Sequence, residues 1–159
     1  MAYTSIFKAE EGMEMEGITP APKSFGKMPM KSKGSMCPED IASKFFTLYM
    51  AAQFYHWQTT SIAQHGMLGE VYDAVGDAKD TIMEYLLGVQ APTRLTTPPV
   101  ADTPAPFSDQ SVAKMLDNGF QFTIAMMEYA DSRGLEELKN LASDLQGVFG
   151  KAKYLNTLS

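Results

Sequence analysis

Hydrophobic residues recur at three- and four-residue steps in four separate stretches of the chain, which predicts four amphipathic helices. Helix A starts at about Pro38, where a missing N–H loses no partner, and Glu39 and Asp40 suit the positive end of the helix dipole. Its buried face is Ile41, Phe45, Leu48, Ala52 and Tyr55, and it closes near Gln58 to Ser61. There Thr59, Thr60 and Ser61 can compete for backbone hydrogen bonds or cap the next helix. Helix B runs from about Ile62 to Leu87 on an apolar stripe of Leu68, Val71, Val75, Ala78, Ile82 and Leu86, with Gly88 as its natural stop.

Residues 89–107 hold Pro92, Pro98, Pro99, Pro104 and Pro106 and read as a long connection. Helix C follows Ser108 as N-cap, carries Val112, Leu116, Phe120, Thr123, Met127 and Ala130, and stops at Gly134. Helix D repeats Leu135, Leu138, Ala142, Leu145, Phe149, Ala152 and Leu155. Two short joints and one long one give two helical hairpins linked by a crossover. The fold class expected for residues 38–159 is therefore all-α, an antiparallel four-helix bundle of ferritin-like type.

Residues 1–37 lack either periodicity. Pro20, Pro22 and Pro29 interrupt them, and the acidic run Glu10, Glu11, Glu14, Glu16 precedes the basic run Lys23, Lys27, Lys31, Lys33. Such a segment reads as a solvated tail or as an extended interaction arm contacting neighbouring subunits or an assembly, anchored by residues such as Ile6, Phe7, Phe25 and Met28.

Composition narrows the function classes. The formal charge of -6 disfavours a nucleic-acid partner or an anionic membrane surface. Cys37 is the one cysteine, so neither an internal disulfide nor a thiolate cluster can form. No apolar run approaches the roughly 20 residues of a membrane span, and the first residues lack the pattern of a secretory signal. A cytoplasmic protein, or one carried in a virion, is expected.

Candidate chemistry is sparse and clustered. The two histidines, His56 and His65, both sit at the A–B joint. Asp73, Asp77, Asp80 and Glu84 follow one another at steps of four, three and four, opposite helix B's apolar stripe, so they point away from the bundle's own core. Spacing alone favours a solvated acidic face there. As metal ligands, His56, His65, Asp80 and Glu84 would form a mixed nitrogen and oxygen set suited to iron, zinc or manganese. With outward-pointing carboxylates, such a site would be completed by a second subunit.

The runs Phe54-Tyr55-His56-Trp57-Gln58, His65-Gly66-Met67-Leu68 and Asp80-Thr81-Ile82-Met83-Glu84 resemble the Dps-like mini-ferritins, over roughly residues 41–158. The resemblance implies a homo-oligomer, a dimer or a larger hollow shell. Its site lies between subunits, with the histidines from one and the Asp-x-x-x-Glu from another. Iron is its cargo, bound as iron(II), oxidised by peroxide or dioxygen, and stored as mineral. Two departures weaken the enzyme inference: Gly69 stands where the family places a further carboxylate, and the A–B joint is about three residues shorter. The chain also resembles short ferritin-like proteins of bacteriophages. A structural or virion-associated assembly protein, using the bundle as a rigid body, is the alternative.

Overall fold

The computed structural model describes residues 36–89 and 94–158, and all the regular structure among them is helical. Four helices follow one another: α1 (Pro38–Gln58), α2 (Ile62–Val89), α3 (Asp109–Arg133) and α4 (Glu136–Asn156). The arm expected over residues 1–37 lies outside the described residues except for Met36 and Cys37.

Local chemistry sets the helix ends. Cys37 precedes Pro38 and receives Asp40 as a reciprocal partner: its backbone N–H (3.3 Å) and its thiol (3.1 Å) both donate to the Asp40 carboxylate. Burial and that carboxylate raise the thiol's pKa. Ser61 Oγ accepts from the Gln64 N–H at 3.3 Å and Ser108 Oγ from the Ser111 N–H at 3.0 Å, which caps α2 and α3. Gly134 ends α3 at φ 65°, a left-handed conformation that a Cβ would strain.

The expected stripes of α1 and α2 are buried, apart from Ala78, which is only partly covered. Helix α4 buries Leu138, Ala142, Leu145, Phe149 and Ala152. In α3 the expected Val112, Leu116, Thr123 and Ala130 are fully buried and Met115, Phe122 and Met126 join them, whereas the expected Phe120 and Met127 are only partly covered. Phe122 is brought into the core beside them by packing edge-on to Phe45 at 5.2 Å. Helix α2 continues through Gly88 to Val89, because the glycine's preference for ending a helix is weak against a continuing hydrogen-bonded turn.

Helix α1 packs on α2 and α3, and α4 packs on α3 and α2. A buried polar hub joins their ends: Gln64, 3% exposed, accepts from Thr59 Oγ1 and donates through Nε2 to Asn156 (3.2 Å) and Asp109 (3.4 Å). The end of α1, the start of α2, the start of α3 and the end of α4 therefore meet. The connection reaches this end by lying along α1. Glu39 accepts from the Thr96 N–H (3.3 Å), Ser43 Oγ from the Val100 N–H (3.2 Å) and Thr47 Oγ1 from the Asp102 N–H (3.0 Å). Tyr55 completes the series by donating its hydroxyl to the Ala105 carbonyl at 3.2 Å.

Candidate metal-binding site

The short joint brings the two histidines face to face. Their rings stack with centroids 3.7 Å apart and planes 25° apart. Each Nδ1 meets the other residue's carbonyl oxygen, His56 Nδ1 at 2.9 Å from His65 O and His65 Nδ1 at 3.0 Å from His56 O. A carbonyl oxygen only accepts, so both Nδ1 atoms carry the proton, and in the neutral rings Nε2 holds the lone pair. The His56 carbonyl lies in the last turn of α1, where it has no intrahelical donor, so His65 also caps that helix. The Tyr72 ring stands edge-on to His56 at 5.2 Å.

Among the described residues no carboxylate joins the two histidines in a cluster. A Cβ on Gly69 would lie in ordinary contact with the His56 ring, 3.4 Å from Cε1 and 3.6 Å from Nδ1, so this position faces the imidazole but carries no ligand. Glu70, one residue further round the helix, is drawn to Lys151 of α4 at 2.7 Å. Asp80 and Glu84 are exposed, one turn apart, and make no ion pair among the described residues. Asp77, Lys79 and Asp80 line an open depression of about 420 Å³ with Gly76 and Thr81. The Lys79 ammonium leans from it across to α1, over Phe46 (4.7 Å) and Tyr49 (5.1 Å).

The four sequence-predicted ligands thus fall into two pairs. His65 and Asp80 are fifteen residues apart on one straight helix, a rise of about 22 Å. No ion joins them within one chain, and among the described residues no cluster of three or more His, Cys, Asp or Glu side chains could hold a metal.

A family model matches residues 56–155, which include both pairs. The chain belongs to DUF5856, a family of unknown function. The DUF5856 match begins at His56 and takes in α2, the connection, α3 and nearly all of α4. No curated protein and no solved structure matches the chain. No helix among the described residues is long and apolar enough to cross a membrane.

Sequence reasoning located the histidines but not their mutual hydrogen bonds, which depend on the path of Thr59 to Ser61. It also missed Gln64 and the polar series Glu39, Ser43 and Thr47. That four-residue spacing on one face of α1 was the available signal.

Proposed function

We propose that this DUF5856 member is a metal-binding, Dps-like bundle of antiparallel ferritin-like type whose site is completed between copies of the chain. His56 and His65 of one copy would supply nitrogen, and Asp80 and Glu84 of another would supply oxygen and charge neutralisation. The observation that carries this reading is the fixed tautomer of the histidine pair. Ligating histidines characteristically donate their second ring N–H to a carbonyl, which orients the ring and raises its basicity. Here both do so, leaving the Nε2 lone pair of each ring as the nitrogen available to a ligand.

A two-fold axis turns the separation of the pairs into an asset. Two copies with α2 helices antiparallel would set each histidine pair against the other's carboxylates and create two equivalent sites. Iron(II) is the cargo implied by the family resemblance; its oxidation by peroxide or dioxygen would be the reaction.

Mixing two defective chains tests the idea. A His56→Ala/His65→Ala chain and an Asp80→Ala/Glu84→Ala chain should each fail to bind iron(II) anaerobically at micromolar concentration. Co-expressed, their mixed dimer should recover one site of two. Full binding by either variant alone would sink the inter-copy site.

A second reading has its own observation. Among the described residues no cluster of three or more ligating side chains forms around the histidines, as suits a bundle that serves as a structural part of a larger assembly, with the N-terminal arm as its contact. Deleting residues 1–35 would then abolish incorporation into that assembly while leaving the bundle folded.

A further inference from the structure

We infer that the outward face of α1 and α2 is a docking surface for the lysine-bearing segment 23–33 of a second copy of the chain. The inference deepens the assembly reading, on which it rests, by naming the surface that the N-terminal arm meets. It is independent of the metal-binding reading, except that lysines and an ion would compete for Asp80 and Glu84.

An apolar rail marks the surface. Phe46, Met50 and Trp57 follow one another along α1 at steps of four and seven, which places them within about 40° of one another around the helix. They are 37%, 44% and 65% exposed. Three large apolar side chains in one outward row, unlike single scattered ones, mark an interaction site. Helix α2 lies alongside: Gly69 meets His56, Gly76 meets Tyr49, and Lys79 reaches over Phe46. Its outward side carries Asp73, Asp77, Asp80 and Glu84, all exposed and without an ion pair among the described residues. Lys79, the one lysine of α2, leans away from them toward α1. The face is therefore apolar along one edge and anionic along the other.

Charge selects the occupant. A second copy laid face against face would bring four carboxylates up to four more, and the net charge of -6 per chain opposes that further. The complementary segment is encoded in the chain itself. Lys23, Lys27, Lys31 and Lys33 have no acid among them, and Phe25, Met28 and Met30 lie between them. Extended at about 3.3 Å per residue, the stretch between Lys27 and Lys33 covers about 20 Å. The rise along α2 between Asp73 and Glu84 is about 16 Å. Lysines and carboxylates therefore pair without compression of the segment, while its apolar residues meet the rail. Position selects the copy. Glu39 and Ser43 precede Phe46 on this side of α1, and the connection already occupies them through Thr96 and Val100. The direct line from Cys37 along the face is thus taken, whereas its end at Met50 and Trp57 stands open to a segment arriving from another copy.

Trp57, the chain's single tryptophan, reports from within the surface. Acrylamide quenching of its fluorescence in the full chain, with sedimentation velocity on the same samples, tests the inference across a dilution series. At low salt Trp57 should be shielded in concentrated samples and become quenchable on dilution, as the sedimentation coefficient falls. Lys23→Glu/Lys27→Glu/Lys31→Glu/Lys33→Glu should weaken the association by about tenfold or more, as the loss of several exposed ion pairs requires. Asp73→Lys/Asp77→Lys/Asp80→Lys/Glu84→Lys should weaken it similarly. Mixed together, these two chains should shield Trp57 again, since each supplies the segment that the other's surface then needs. Met50→Gln, which keeps every charge, serves as the second variant and should also leave Trp57 more quenchable at equal concentration. Trp57 equally quenchable at every concentration, or association indifferent to the lysine reversal, overturns the inference. Shielding that persists at every dilution also overturns it, because the covering segment then does not come from a second copy. Loss of assembly on deleting residues 1–35, with Trp57 indifferent to the lysine reversal, removes this surface and leaves the assembly reading standing.

Discussion

Replacing Gly119 by alanine puts helix propensity and core packing in direct opposition. Gly119 lies inside α3, where an alanine gains about 1 kcal/mol of intrinsic helix stability. Its missing Cβ, however, would sit 2.2, 2.3 and 2.7 Å from Phe149 Cε1, Cζ and Cδ1. Carbon atoms in contact prefer about 3.5–4.0 Å, so the ring would have to retreat by more than 1 Å. Phe149 is fully buried and its ring is rigid, so it cannot fold aside as a methionine would. Overpacking a core costs about 1–3 kcal/mol, and so severe an overlap belongs at or above the top of that range. After the propensity gain, Gly119→Ala should destabilise the bundle by about 2 kcal/mol or more. Gly147 on α4 is the control: it is exposed and a Cβ there meets nothing within 4 Å. Gly147→Ala should stabilise by up to about 1 kcal/mol. Urea unfolding followed by circular dichroism measures both. A Phe149→Leu change should be less harmful in the Gly119→Ala background than in the wild type. Equal stability of the two alanine variants would refute the packing argument.

Other expectations concern the hub, the connection and its acid-sensitive tether. Gln64→Ala strips Thr59, Asp109 and Asn156 of a shared partner and should cost about 1–3 kcal/mol in urea unfolding; a change below about 0.5 kcal/mol would show the hub to be dispensable. Tyr55→Phe should cost about 0.5–1.5 kcal/mol and speed hydrogen exchange at Asp102, with exchange in α4 unaffected. Glu39's own backbone N–H, and then that of Thr96, hold its carboxyl below the ordinary 4.5. Because this pKa is depressed on folding, the tether is fully present above the unfolded value and is lost as pH falls through the lower folded one. The Thr96 amide resonance should therefore titrate with a midpoint under 4.5, and a midpoint at or above 4.5 would contradict the contact.

Much of the scaffold was readable from periodicity because three helices carry a single apolar stripe each. In α1 the steps Ile41, Phe45, Leu48, Ala52 and Tyr55 are all buried, with Ala42 and Ala51 beside them. Helix α3 was legible in part: Val112, Leu116, Thr123 and Ala130 are buried as expected, but Met115, Phe122 and Met126 are buried beside them, and Gly119 gives no hint of the ring beneath it. The end of α2 was misplaced because a glycine is permitted, though disfavoured, within a helix. At the candidate site, residue types and the interval from His65 to Asp80 were legible. The hydrogen bonds that fix each imidazole were not, because they pair side chains with backbone atoms across a turn whose path no spacing rule determines. Gly69 was recognisable as a missing carboxylate, but not as the surface against which His56 rests.

The lacing of the connection onto α1 restricts how this chain can change length. Its tethers stand at positions 39, 43, 47 and 55, all on one side of the helix. Inserting one residue between Ser43 and Thr47 would swing everything beyond it by about 100°, leaving half the stitches facing the wrong way. Deleting one would do the same in reverse. Neither the helix nor the proline-bearing strap can drift independently, so insertions between the first and last stitch should not be tolerated.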